Sequence, residues 1–229
     1  MNDTSKYIFN PDFKISSDFE VSAQNVLEAT LKTNEFLVTL PETLYKSVDF
    51  KTMGAVIGAV FCDKLAKEIP NAAVNPIEKG HPDIIPTDGL TAQESILRNY
   101  PTGIEIKGTI GNIRQGTNLR AGQKRISELT GVTWQAHHKD VNHLLGFLWD
   151  FEENIDGFLF PNIVAAFYSD QLLPSDWGEI SGITGRNTKV TAMVKSGKEK
   201  MGNGWVLLLN KAEYLLKIER FLHFSRLKK

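Results

Sequence analysis

The sequence predicts an α/β fold with a central mixed β-sheet flanked by helices. Three observations carry that expectation. Apolar residues recur at helical spacing near both ends of the chain and over residues 49–69. Between these segments stand short apolar runs of strand length, two of them almost continuous. No internal repeat, low-complexity tract or long linker divides the 229 residues, so a single domain over 1–229 is expected.

Residues 21–38 read as a helix with Ala23, Val26, Leu27 and Leu31 on one face, punctuated by Pro41. A second helix runs from Asp49 to Ile69, with Met53, Val56, Ile57, Val60, Phe61 and Leu65 at three-and-four spacing, and Pro70-Asn71 ends it. Strands are expected around 82–85, 103–107, 132–137, 144–151 and 161–168. "LLGFLWDF" and "NIVAAFYS" are apolar on both faces and predict buried strands. "AGQKRISEL" reads as a helix, and "TKVTAMV" and "GWVLLL" as strands. "KAEYLLKIERFLHFSRLKK" reads as an amphipathic helix burying Tyr214, Leu215, Ile218, Phe221 and Leu222.

Hydrophobic residues make up 41% and charged residues 23%, the balance of a soluble globular protein. One cysteine, Cys62, excludes a disulfide framework or a cysteine zinc site within one chain, which suits a reducing interior. The first twenty residues contain no apolar leader region, and no run of eighteen apolar residues predicts a membrane span. A net charge of −1 argues against a generic nucleic-acid coat but allows a local basic surface. Charge is uneven: Arg114, Arg120, Lys124 and Arg125 share a stretch without acids. Arg186, Lys189, Lys195, Lys198 and Lys200 stand against Glu199 alone.

Side chains alternate across a strand, so "GIEIKG" places Glu105 and Lys107 on one face, with Ile104 and Ile106 on the other. Two charges side by side on a buried strand are costly unless paired or bound. Asp83 follows Pro82 at another short apolar strand. If the two strands are neighbours, with 86–101 as an excursion between them, Asp83 and Glu105 converge. Converging carboxylates suit Mg²⁺, which takes few of them and keeps several waters. A lysine two residues on can orient an attacking water.

Pro82-Asp83 followed by Glu105-Ile106-Lys107 resembles the PD-(D/E)XK signature of type II restriction endonucleases and their nuclease relatives. The resemblance covers residues 82–107. It implies a restriction-endonuclease-like fold with a catalytic core over about 49–170, and Mg²⁺-dependent hydrolysis of DNA phosphodiesters. It implies that Asp83 and Glu105 are metal ligands and Lys107 the water-positioning group. Many members add an acid from the preceding helix, for which Asp63 and Glu68 are the candidates, with Glu78 a third. The function expected is site-specific cleavage of double-stranded DNA by a cytoplasmic, bacterial-type enzyme. A homodimer matching a palindromic duplex is expected, with the N- and C-terminal helices as interface elements. Two alternatives stand beside it: a repair nuclease or junction resolvase on the same fold, and a non-catalytic DNA-binding protein.

Asn112, Arg114, Gln115, Asn118, Arg120, Gln123, Lys124 and Arg125 are the expected DNA contacts, since these side chains read base edges or phosphates. Arg186, Asn187, Thr188, Lys189 and 195–200 form a second such surface, and "SGITGRNTK" (181–189) reads as a loop between strands. His137, His138 and His143 read as a strand end and turn facing solvent or DNA rather than as a metal cluster. Trp134, Trp149 and Trp205 are expected in the core, and Asp150 at an ordinary strand terminus.

Overall fold

The computed structural model describes residues 6–16, 19–78, 80–114, 122–154, 156–181 and 189–226. Its centre is a five-stranded sheet of β1 (Tyr7–Phe9), β13 (Trp205–Leu209), β11 (Leu159–Ser169), β10 (Leu144–Glu153) and β6 (Glu105–Thr109), in that spatial order. β6 runs parallel to β10 and the other pairs are antiparallel, so the sheet is mixed as expected. β10 and β11 form a long hairpin whose residues are buried along almost their whole length, in keeping with their nearly continuous apolar sequence.

Helices cover both faces. α1 (Ala23–Val38) starts at Ser22, whose hydroxyl accepts the Asn25 N–H, while Asn25 Oδ1 accepts the Ser22 N–H in return. α1 packs on β11 and on α3 (Phe50–Glu68), joined by the short α2 (Glu42–Ser47). Buried Asn34 fixes the docking: its amide donates to the Tyr7 hydroxyl at 2.8 Å, and its carbonyl accepts the Ile163 N–H at 2.8 Å. Asp49 caps α3 by accepting the Thr52 N–H at 2.8 Å. The two faces are told apart on β10. Phe147 meets Phe61 of α3 with ring centroids 5.3 Å apart, while its neighbour Gly146 faces Trp134 and Met201. Met201 belongs to α5 (Lys195–Asn203), which pairs with α6 (Ala212–Leu222) on that second side.

Short strands frame the sheet edge. β2 (Lys14–Ser16) pairs with β3 (Glu20–Ser22), and β4 (Ala72–Val74) with β5 (Ile84–Pro86). β7 (Asn112–Ile113) pairs with β8 (Leu129–Gly131), and β9 (Gln135–Ala136) with β12 (Thr191–Ala192). A four-residue helix α4 (Glu94–Leu97) lies in the excursion between β5 and β6.

Several elements differ from expectation. The described part of "AGQKRISEL" holds only a 3₁₀ turn, Ile126–Glu128. Its backbone is captured from outside: Asp150 accepts the N–H groups of Arg125 and Ile126, and Lys217 Nζ donates to the carbonyls of Ile126 and Ser127. Of the strand expected over 132–137 only the two residues of β9 form, and the described part of "TKVTAMV" contributes only the two residues of β12. Residues 195–203 form a helix for which no element was expected. Trp134 and Trp149 are buried as expected, and Trp205 is half-buried.

Candidate active site

The two halves of the motif meet at the sheet edge. Ile84 and Ile104 exchange backbone hydrogen bonds of 3.1 and 2.9 Å, which lays the Pro82-Asp83 segment beside the start of β6. The approach needs glycine at 103, where φ is +136° and a Cβ would lie 2.2 Å from the Ile84 carbonyl oxygen. Asp83 Oδ2 accepts the Ile106 N–H at 2.7 Å, so one backbone amide fixes its rotamer. Glu105, only 4% exposed, is paired opposite Leu144 of β10, and its N–H donates to the His143 carbonyl. Lys107 hydrogen-bonds Glu105 Oε1, and its Nζ lies 3.8 Å from Asp83 Oδ2.

The electrostatics follow from this crowding. Burial, and then the Glu105 charge, push the Asp83 carboxyl up to about 6. Burial acts the same way on Glu105, but the His81 hydrogen bond and the Lys107 ammonium outweigh it and hold that carboxyl below its ordinary range. Burial works to lower Lys107, yet the charges of Glu105 and Asp83 win and raise it. A cation held between two carboxylates that repel each other is the arrangement observed.

Two depressions flank this pair. A groove of about 960 Å³ has Asp83 and Lys107 in its wall. The face of α3 that borders it is small: Gly54, Ala55, Gly58 and Ala59. Asn112, Gln135 and His137 also face this groove. On the other side, a cavity of about 380 Å³ is bordered by Glu105, His81, His138, His143, Asn99 and Asn142.

Of the acids expected to complete the site, Asp63 and Glu68 lie elsewhere. Asp63 pairs with Lys67 at 2.7 Å, one helical turn away, and Glu68 pairs with Lys32 of α1 at 2.5 Å. Glu68 thus faces α1 while Asp63 is engaged within α3 itself, and no carboxylate of α3 borders the groove among the described residues. Glu78 does border it, and is exposed.

The expected DNA contacts divide. Asn112 borders the groove, and Arg114, Gln123 and Lys189 are exposed. Lys124 is engaged by Glu213 at 2.6 Å and Glu152 at 3.2 Å. Arg125 is 5% exposed, with its guanidinium 4.6 Å from the Phe50 ring centroid. Arg125 is therefore part of the packing between the 122–128 segment and its neighbours, which corrects its reading as a surface contact, while Lys124 is half-buried and ion-paired at the surface. In α5, Lys200 donates to Asp176 at 2.6 Å. Gln115, Asn118, Arg120, Arg186, Asn187 and Thr188 lie outside the described residues.

Asp150 is no strand terminus. It sits within β10, buried, and accepts the N–H groups of Arg125, Ile126 and Phe151 and the Tyr214 hydroxyl. It clamps β10 to α6. His81 was not anticipated at all. Its Nδ1 lies 3.1 and 3.2 Å from the two oxygens of Glu105. Its ring stands edge-on to His138, centroids 5.3 Å apart. The only local signal was its place immediately before Pro82-Asp83.

Among the described residues no group of three or more His, Cys, Asp or Glu has metal-holding geometry. The carboxylates that could hold a cation here are those of Asp83 and Glu105, the latter buried with its oxygens facing His81 and Lys107. Their oxygen chemistry, their mutual repulsion and the ammonium already seated between them fit Mg²⁺, which accepts one or two carboxylates and fills its remaining positions with water and phosphate oxygens. No helix of the described residues is long and apolar enough to cross a membrane. Comparison with protein-family models, with curated proteins and with solved structures gave no match.

Proposed function

We propose that this chain is a Mg²⁺-dependent deoxyribonuclease that cleaves double-stranded DNA at specific sites, in the manner of the PD-(D/E)XK nucleases. The observation that carries the reading is the convergence of Asp83, Glu105 and Lys107 beside an open groove. A structural ion pair would not need two carboxylates pressed together at a cleft, one with its acidity weakened by burial and then by the other.

Bound at Asp83 and Glu105, the cation would supply charge stabilisation to a phosphoryl oxygen and acidify a water. Asp83 holds its carboxylate toward the site because Ile106 N–H fixes the other side of its rotamer. Lys107, half-buried and within reach of both acids, keeps its proton; its ammonium orients a water for in-line attack and offsets negative charge growing on the phosphate. The small residues of α3 leave room for a nucleic-acid backbone to come close, and Asn112 is placed to meet it. A homodimer would present one such site to each strand of a two-fold duplex.

The test is incubation of the purified protein with a long DNA of known sequence, with and without Mg²⁺. Discrete Mg²⁺-dependent fragments are expected, and their ends would give the target. Unspecific degradation would favour a repair or scavenging nuclease. Absence of cleavage on varied, unmodified DNA would leave a non-catalytic binding protein.

A further inference from the structure

We propose that His81 is a positioning residue for Glu105, holding that carboxylate from the histidine-lined cavity so that it meets a divalent cation in one fixed orientation. The inference rests on the metal-dependent reading above and extends it to a residue outside the motif.

The two acids of the site are held differently. Asp83 has a backbone donor, the Ile106 N–H. Among the described residues no backbone N–H donates to the Glu105 carboxylate; its partners there are Lys107 and His81. Lys107 is divided between two acids and carries the role toward water and phosphate, so it must be able to turn away from Glu105. His81 is the partner that can stay. Its Nδ1 faces both carboxylate oxygens, at 3.1 and 3.2 Å, which requires the proton on that nitrogen.

His81 is itself fixed from three sides. Its N–H donates to the Arg98 carbonyl at 3.2 Å, and its carbonyl accepts the Tyr100 N–H at 2.7 Å. Its ring packs edge-on against His138. The imidazole therefore approaches Glu105 from a backbone bonded on both sides, and from the wall opposite the groove that holds Asp83 and Lys107. Outer partners of metal-binding carboxylates act in this way: they restrict the ligand's rotamer, and their loss typically weakens metal affinity about 10- to 100-fold.

The experiment is titration calorimetry with Mn²⁺ on the purified chain, comparing wild type, E105Q, H81Q and H81N, each checked for folding by its thermal melt. Asn can place an N–H where His81 Nδ1–H stands, and Gln places its amide one bond further out. H81Q is expected to bind Mn²⁺ about 10-fold more weakly or worse, while H81N stays close to wild type and E105Q loses binding. H81L replaces H81Q if that variant does not fold. Wild-type affinity in both His81 variants, with E105Q impaired, would overturn the role of His81 and leave the metal site standing. Equal losses in H81N and H81Q would mean that the ring packs rather than positions, and would also overturn it. Wild type that binds no Mn²⁺, or E105Q indistinguishable from wild type, would remove the metal reading itself.

Discussion

At the scale of single residues, the fate of the Asp83 proton separates a metal site from an ion pair. Its folded pKa is raised to about 6, so between the ordinary aspartate range and that value the folded chain holds a proton that the unfolded chain has released. The stability contributed by protonated Asp83 is complete below its unfolded pKa and is lost as pH rises through about 6. D83N removes the repulsion and still offers an oxygen to the Ile106 N–H. In urea melts without metal, D83N should therefore gain about 1 kcal/mol over wild type at pH 8 and nothing at pH 4. Mg²⁺ should stabilise wild type at pH 8 but not D83N. A variant less stable than wild type at both pH values would show that Asp83 is a structural anchor.

Asp150 carries the opposite expectation. Burial pushes it up to about 6 as well, but it is surrounded by donors, three backbone N–H groups and the Tyr214 hydroxyl. D150A would orphan those donors, and should cost about 3 kcal/mol in chemical denaturation. The rate of DNA cleavage per folded molecule should be unchanged.

At the scale of elements, α3 is a helix with one side given up to the groove. A Cβ at Gly58 would meet nothing within 4 Å, although the position is inside a helix, where glycine is costly. G58A should therefore stabilise the fold by about 0.5–1 kcal/mol. G58L should retain stability but narrow the groove, and a DNA-binding assay in Ca²⁺ should show weaker affinity for the duplex. Loss of stability in G58A, or unchanged affinity in G58L, would mean that the glycine serves helix packing and the groove does not take DNA.

The elements also show which signals local sequence carries. β10 and β11 were legible because strands buried on both faces are apolar at nearly every position. α1 and α3 were legible from apolar spacing and from the prolines that follow them, and the structure adds their Ser22 and Asp49 caps. α5 was not, because it packs through glycines: Gly197 lies against Met193 and Asp176, and Gly202 against Leu222, leaving Met201 as its one large buried side chain. The helix expected over "AGQKRISEL" failed for the reverse reason. Its apolar residues are real, but distant Asp150 and Lys217 claim the backbone groups a helix would use.

At the scale of the whole molecule, the site was half legible. Alternation along β6 put Glu105 and Lys107 on one face before any coordinates, and the Ile84–Ile104 pairing joined Asp83 to them. What the chain does across 24 residues, from His81 to Glu105, has no local trace. Nor did the order of residues in α3 reveal that Asp63 pairs within its own helix and Glu68 with Lys32 of α1, leaving Glu78 as the one of the three candidate acids beside the groove. With a net charge of −1, the molecule should meet DNA through local contacts, and its affinity for duplex in Ca²⁺ should fall with added salt. Sedimentation of the DNA complex should show two copies of the 25.6 kDa chain per duplex site.

The most direct measurement compares K107A with wild type for two properties on one duplex substrate: cleavage in Mg²⁺ and binding in Ca²⁺. The account expects K107A to fold, to bind the duplex about as well as wild type, and to cleave it about 100-fold more slowly or worse. Wild-type cleavage by K107A would contradict the role given to Lys107. Absence of cleavage by both proteins, with K107A merely less stable, would make Asp83, Glu105 and Lys107 a structural cluster and not an active site.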